Sequence, residues 1–300
     1  MKILLLGKNG QVGWELQRSL APLGELTALD FDSPPPLTAD FSRPETLAAT
    51  VRAVKPDVIV NAAAHTAVDR CESEPDLAHA LNAAAPRVLA EEAAALGAWL
   101  VHYSTDYVFD GSGTQARRED APTGPLSVYG RTKLEGEQAV RDSGCRHLIL
   151  RTSWVYSARG GNFARTMLKL AAEREQLNVV ADQVGAPTGA DLLADVTVHA
   201  LRCALQAPAL AGTYHAVAAG ETSWHGYARL VIEWARAHEV PMRASADRIT
   251  PVPSTAYPTA ARRPLNSRLD TQRLQRTFGL TMPHWEPGVV RMLAEMHGRW

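Results

Sequence analysis

Lys2-Ile3-Leu4-Leu5-Leu6-Gly7-Lys8-Asn9-Gly10-Gln11-Val12-Gly13 decides how this chain folds. Ile3 to Leu6 is an apolar run without alternation, which suits a strand buried on both faces of a parallel sheet. Gly7, Gly10 and Gly13 follow at once, and Val12, Leu16 and Leu20 then mark one stripe of a helix. Strand, glycine turn and helix in this order are the context a phosphate site needs. The glycines let the backbone turn tightly and approach a pyrophosphate, while the helix N-terminus offers unpaired N–H groups and a positive dipole end. The spacing is G-x-x-G-x-x-G, not the commoner G-x-G-x-x-G. A tight strand–helix turn that binds nothing would read the same way.

Outward from this turn, a second strand near Leu26–Leu29 ends at Asp30. An acid there, about 20 residues beyond the glycines, can bond the adenosine ribose hydroxyls of a dinucleotide. It would repel a 2′-phosphate and so favours NAD(H), although Lys8 and Arg18 could offset that repulsion. After the loop Pro34-Pro35-Pro36 come Asp40 and Phe41, an acid and an aromatic that could flank an adenine ring. A helix N-cap at Ser42 explains that neighbourhood equally well. The next buried strand, Val58–Asn61, runs into Ala62-Ala63-Ala64-His65-Thr66, whose small residues leave room for a dinucleotide at the sheet edge. His65 reads as a structural hydrogen-bonder sooner than a catalyst.

An Ala-rich helix over 82–96 and a strand from Trp99 to Tyr103 lead to Ser104-Thr105-Asp106. Hydroxyls at that strand end point into the same crevice as the glycine turn. Tyr129 and Lys133 then stand four apart in a run that predicts a helix over 129–140, so they share one face about a turn apart. A phenol has a pKa of roughly 10. A nearby ammonium favours the phenolate and makes the phenol a usable general acid. A Tyr-x-x-x-Lys pair by itself is more often a half-buried Tyr beside a solvated Lys. With the glycine turn and with Thr105 placed to bond a substrate oxygen beside Tyr129, the chemical reading gains support.

Strands and helices alternate to about residue 155, the pattern of a doubly wound α/β sheet. Leu148–Thr152 is the last strand of that alternation, and beyond it come helices over 162–174 and 192–205, a strand over 212–217, and a Pro- and Arg-rich stretch over 251–268. The expected organisation is a nucleotide-binding domain over 1–155, rejoined by about 189–218, and a smaller, mixed α/β substrate lobe over 156–300. At 300 residues and 46% hydrophobic, the chain can bury cores for both. Lys and Arg total 31 against 32 Asp and Glu, so no general charge draws it to nucleic acid or an anionic membrane. Cys71, Cys145 and Cys203 lack metal-ligand spacing and read as packing residues in a reducing compartment. The apolar stretch at the N-terminus is too short for a signal peptide or a span, so a cytoplasmic protein is expected.

These motifs, with 60–68, 102–110, 151–156, 182–188 and 256–269, make the whole chain resemble the dTDP-4-dehydrorhamnose reductases, a family of the extended short-chain dehydrogenase/reductases. The resemblance implies a Rossmann-type sheet and reduction of the C4 ketone of a dTDP-4-dehydro-L-rhamnose by NADPH or NADH. That reaction is the last step toward dTDP-L-rhamnose, a precursor of surface polysaccharide. It implies a catalytic trio of Thr105, Tyr129 and Lys133, and cofactor contacts at Gly7, Gly10-Gln11-Val12-Gly13, Asp30, Asp40-Phe41 and Ala62-Ala63-Ala64, with Tyr129 and Lys133 on the nicotinamide ribose. Asp106 and Trp154 would face the sugar nucleotide. It also implies a homodimer and, in some members, Mg²⁺ at the dimer contact through acids corresponding to Glu15, Asp191 and Glu295. On residues alone those three read as exposed helix carboxylates.

A substrate diphosphate needs a basic partner, and Arg262-Arg263 are the densest basic pair of the second half. A solvated pair or a salt bridge to the first lobe is the competing reading. Two rivals remain for the function. A nucleotide-sugar epimerase or dehydratase would recycle its cofactor, but Thr105-Asp106 lacks the following Glu a dehydratase wants. A non-catalytic subunit on the same fold, like the regulatory subunit of methionine adenosyltransferase, would be favoured by a lost Tyr or Lys, and both are present.

Overall fold

The computed structural model describes residues 1–34 and 36–297; Pro35 of the triple-proline loop lies outside the described residues. Its central sheet has six strands: β1 (Lys2–Leu6), β2 (Glu25–Leu29), β3 (Val58–Asn61), β4 (Trp99–Thr105), β5 (Arg146–Thr152) and β6 (Gly212–His215). They lie in the order β2-β1-β3-β4-β5-β6, and every pairing is parallel. The chain leaves β1 on one side and returns on the other, so the connection reverses between β1 and β3. Ligands of such sheets bind beyond the strand C-termini at that reversal.

The helices used below are α1 (Gln11–Leu20), α2 (Pro44–Val54), α3 (Ala85–Leu96), α4 (Val128–Asp142), α5 (Phe163–Glu173), α6 (Ala190–Gln206), α7 (Trp224–Ala237) and α8 (Trp285–Met296). The pleat explains why β1 is apolar throughout. Ile3 and Leu5 face α1 and α6 through Leu16, Leu20, Leu193 and Leu201. Leu4 and Leu6 face α2 and α3 through Leu47, Val51, Leu89 and Ala93. Each fully buried Leu contributes about 1.5–3 kcal/mol relative to exposure, so a charge at any of these four positions would break the layer.

A separate cluster joins α5, α7 and α8 to a two-stranded parallel pair, Leu177–Val180 with Ile249–Val252. Asn162 caps α5 and Ser223 caps α7, each accepting from a backbone N–H three residues on. The strand over 212–217 stops at His215, and the sheet takes it as β6 from well beyond residue 155. The Ala-rich helix opens with a π turn, Ala80–Ala84, before α3. Cys71 and Cys145 are buried, and all three cysteines are free. Among the described residues no helix is long and apolar enough to cross a membrane.

Candidate active site

A cleft of about 780 Å³ opens beyond the C-terminal ends of β1, β3, β4 and β5. Its floor at one end is the glycine turn. Gly7 has φ +88°, and a Cβ there would approach the Ala63 nitrogen at 2.7 Å. A Cβ at Gly13 would collide with the Gly7 carbonyl, so Gly13 serves close helix–strand packing and does not line the cleft. Gly10, Gln11 and Val12 do line it. Gly10 is the N-cap of α1 and no side chain caps the helix, which leaves its first N–H groups facing the cleft. The buried Oε1 of Gln11 has no partner. The open helix start fits a dinucleotide phosphate, whereas the bare Gln11 oxygen would need a donor such as a ribose hydroxyl.

Asp30 lines the cleft and accepts from the Asn9 and Phe31 N–H groups, which fix the carboxylate at the end of β2. Arg18 does not reach this place. It pairs with Asp195 at 3.0 Å, so it does not relieve the repulsion of a 2′-phosphate by Asp30. Asp40 accepts from both the N–H and hydroxyl of Ser42. The N-cap of α2 is Arg43, not Ser42, because Pro44 begins the helix. Phe41 borders the cleft but is 4% exposed, most of its ring packing into the core. Ala62, Ala63 and Ala64 form the bed between the two ends. His65 turns away: its ring meets Glu74 at 3.0 Å and its N–H meets Asn82.

At the other end, β4 and α4 bring the reactive groups together. Ser127 caps α4 by accepting from the Gly130 N–H. A Cβ at Gly130 would strike the Tyr107 carbonyl, so α4 lies hard against the turn after Thr105. That contact sets Tyr129 beside Thr105, with Tyr107 edge-on to its ring at 5.4 Å. The Thr105 hydroxyl donates to Asp106 Oδ1 at 3.1 Å, and Asp106 Oδ2 is buried without a partner. Lys133 Nζ donates to the Tyr103 carbonyl at 2.6 Å. All four side chains line the cleft and are at most 9% exposed.

Burial governs their acidity. It pushes the Tyr129 phenol well above its ordinary value, with the Thr105 hydroxyl opposing. It pulls the Lys133 ammonium down to about 8, with Glu137 opposing. It pushes Asp106 up to about 6 against hydrogen bonds from Ser267 and Thr105. The expectation that Lys133 lowers the phenol is therefore corrected for the protein alone. The ammonium is spent on the Tyr103 carbonyl, and desolvation outweighs it.

Trp154, at φ +50°, lines the cleft and stacks on Trp224, with centroids 3.7 Å apart. Thr152 and Ser153 beside it carry buried hydroxyl oxygens without partners. Arg262 and Arg263 are not among the lining residues. Arg262 is exposed, and Arg263 pairs with Asp69 of the first lobe at 2.6 Å, the salt-bridge alternative. Glu15, Asp191 and Glu295 are near enough that the latter two raise the Glu15 carboxyl, after burial. Arg18 and Arg291 stand against Glu15 and Asp191. Among the described residues no three His, Cys, Asp or Glu side chains are grouped to hold a metal ion, so one chain does not fit Mg²⁺ there.

Sequence reasoning missed Trp224 and Glu137, and it placed Ser104 in the crevice without its partner Glu137. Trp224 gives no local signal, since it starts a helix in a distant part of the chain. Glu137 was legible, standing four residues beyond Lys133 on the same stripe.

The family model described as RmlD substrate binding domain matches residues 1–297. The dTDP-4-dehydrorhamnose reductase of Salmonella typhimurium is 58% identical over 296 residues, covering 99% of this chain and 98% of that one. That of Escherichia coli K12 is 56% identical over the same length and shares. A solved structure of the Bacillus anthracis dTDP-4-dehydrorhamnose reductase in complex with NADP matches with a TM-score of 0.87 at 34% identity, covering 98% of this chain and 99% of that one.

Proposed function

Because this chain belongs to the family of the RmlD substrate binding domain, we propose that it reduces the C4 ketone of dTDP-4-dehydro-β-L-rhamnose to dTDP-L-rhamnose with NADPH or NADH. One observation carries the reading. Buried Tyr129, Lys133 and Thr105, with the bare oxygen of Asp106, stand at one end of a single cleft whose other end is the glycine turn and Asp30. The reduced nicotinamide, when bound, supplies the hydride for the ketone carbon.

The chain's own residues do the rest. Gly10, Gln11 and Val12 would hold the diphosphate, Gly7 and Gly13 shaping the turn beneath it. Asp30 would take the adenosine ribose, Asp40 and Phe41 the adenine edge, and Ala62–Ala64 the middle of the dinucleotide. Lys133 would exchange the Tyr103 carbonyl for the nicotinamide ribose. Tyr129 delivers its proton to the ketone oxygen as that oxygen gains charge, and Thr105 donates a hydrogen bond to the same oxygen. Asp106 accepts from a sugar hydroxyl, and Trp154 stacked on Trp224 walls the sugar side. A dehydratase would want a carboxylic acid after Asp106. Tyr107 stands there, its ring packed on Tyr129.

The test is purified protein with dTDP-4-dehydro-L-rhamnose and each reduced cofactor, followed by the absorbance of the reduced nicotinamide. Substrate-dependent oxidation is expected, and its absence with both cofactors would sink the reading. The division into a cofactor domain over 1–155 with 189–218 and a lobe over 156–300 belongs to the same proposal, supported by the two separate apolar clusters. So do a cytoplasmic setting, which suits three free cysteines, and a homodimer. Mg²⁺ would enter only at a contact between two copies that brings further oxygen ligands to Glu15, Asp191 and Glu295. Sedimentation with and without chelator tests both, and a monomer under both conditions removes them.

A further inference from the structure

Glu137 does not line the cleft, yet its carboxylate is fully buried and accepts four hydrogen bonds. Oε1 accepts from the Ser104 hydroxyl at 2.6 Å and from Arg151 Nε at 2.8 Å. Oε2 accepts from Arg151 Nη2 at 2.7 Å and from Arg141 Nη1 at 3.0 Å. Positions 129, 133 and 137 recur every four residues, so Glu137 lies one turn beyond Lys133 on the same stripe of α4. Arg141 lies on α4 itself, and the other two partners sit on other elements. Ser104 immediately precedes Thr105 on β4, and Arg151 precedes Thr152, Ser153 and Trp154 at the end of β5. One carboxylate thus fastens the helix that carries the acid and the ammonium to the two strand ends that face them. Lys133 fastens the same end of β4 one residue earlier, at the Tyr103 carbonyl.

Stability alone does not account for an ion pair here. Apolar side chains of the same volume could hold the three elements as well, because desolvation cancels much of a buried pair's attraction. They would lack a negative charge beside Lys133. The groups facing Lys133 are His102 and Tyr103 of β4 and Tyr129 and Glu137 of its own helix; His147 of β5 acts on His102 from the far side. His102 is kept neutral by burial. Glu137 is what favours the ammonium against its desolvation. Arg141, Arg151 and His215 face the carboxylate from its other side.

We infer that Glu137 is a positioning residue of this reaction, setting Tyr129 and Lys133 in register with Thr105 and placing a negative charge one turn from Lys133. The inference rests on the reductase reading above.

Its test compares Glu137→Gln, Glu137→Asp and Ser104→Ala with the wild type. Turnover and cofactor affinity are measured from pH 6 to 10, beside thermal melting. Glu137→Gln removes the charge and keeps the shape. The alkaline limb of kcat/KM, and the pH at which cofactor affinity falls, should both move down by about one unit. Turnover at pH 8 should fall about tenfold while the sugar-nucleotide KM changes less than about threefold. Glu137→Asp keeps the charge on a shorter arm, so the limb stays and turnover falls. Ser104→Ala cuts the tether to β4 with every charge in place, and again only turnover should fall.

Gln leaves the Arg151 guanidinium buried without its anion, so Glu137→Gln/Arg151→Gln is measured beside it. The double variant also removes a positive charge bonded to the same carboxylate, so the limb should move part of the way back toward the wild type and stay below it. A folded Gln variant whose limb and affinity profile match the wild type overturns the charge role. Ser104→Ala with wild-type turnover overturns the register role. Either result leaves the reductase reading standing. Wild-type protein that oxidises neither cofactor with the substrate overturns that reading instead.

Discussion

Replacing Asp106 with Asn should make the protein more stable and less active. The side chain is 2% exposed, its Oδ1 accepts from the Thr105 hydroxyl, and its Oδ2 has no partner. Burial holds the carboxyl at about 6 in the folded protein, whereas in the unfolded chain it titrates near roughly 3.9. Two units correspond to about 3 kcal/mol. The folded value is the raised one, so between pH values of about 4 and 6 the unfolded state releases its proton first. Wild-type stability falls as pH rises through that window and stays lowered above it. Asn carries no charge and nearly the same shape. At pH 8 the variant should therefore be more stable by about 1–3 kcal/mol, the lower end reflecting an amide that must find its own acceptor.

In a chain of this size that is a rise in melting temperature of roughly 2–4 °C per kcal/mol. Urea unfolding at pH 4, 6 and 8, with melting scans, reads the effect directly. The gain should be near zero at pH 4 and full at pH 8, with kcat/KM lowered about tenfold or more through the lost charged acceptor. Equal stability at pH 8, or a gain that does not vary with pH, would refute the reasoning.

Other residues give sharper tests of the chemistry. Tyr129→Phe should lower turnover by roughly 10²–10⁴ with cofactor affinity largely kept; near-wild-type turnover would remove Tyr129 from the mechanism. Asp30→Ala should weaken NADH relative to NADPH, because it removes ribose hydrogen bonds and the repulsion of a 2′-phosphate together, and an unchanged ratio would place the ribose elsewhere. Arg263→Ala should leave the sugar-nucleotide KM within about twofold, since the guanidinium is committed to Asp69. With Asp69→Ala it should show a coupling of only about 0.5–1 kcal/mol, as both side chains keep some solvent. A strongly raised KM in that variant would return the substrate diphosphate to Arg263.

The sheet was legible because its signals are local. The unalternating β1, the glycines at 7, 10 and 13, and the stripe of α1 each state their structure within a few residues, and the parallel pairing follows from burial on both faces. Tyr129 and Lys133 were legible for the same reason, being one turn apart on a helix. The substrate side was not. Trp224 meets Trp154 across 70 residues of intervening chain, and Arg263 meets Asp69 from the opposite end of the sequence. Charge density alone pointed Arg262 and Arg263 at a phosphate, but an acid brought near by the fold took the second of them. The acidity of Tyr129 failed differently. Spacing placed an ammonium nearby, but it could not show that a carbonyl of β4 would claim that ammonium or that burial would dominate the phenol.

That raised phenol bears on the protonation state from which the reaction starts. A proton passed from Tyr129 goes to an oxygen that gains alkoxide character as the hydride arrives, so the phenol need not be acidic in the resting site. In the reverse direction the same phenol must first lose its proton inside a site that disfavours the phenolate, with a Lys133 ammonium that burial also weakens. Desolvation of this end of the cleft thus keeps the phenol in its protonated form near neutral pH, the form that reduction uses, while the balance between ketone and alcohol is set by the reactants themselves. Glu137 opposes the weakening of Lys133 by favouring its ammonium, and a positively charged ring bound beside Tyr129 would favour the phenolate. The site is arranged to give up a proton only when a charge develops next to it.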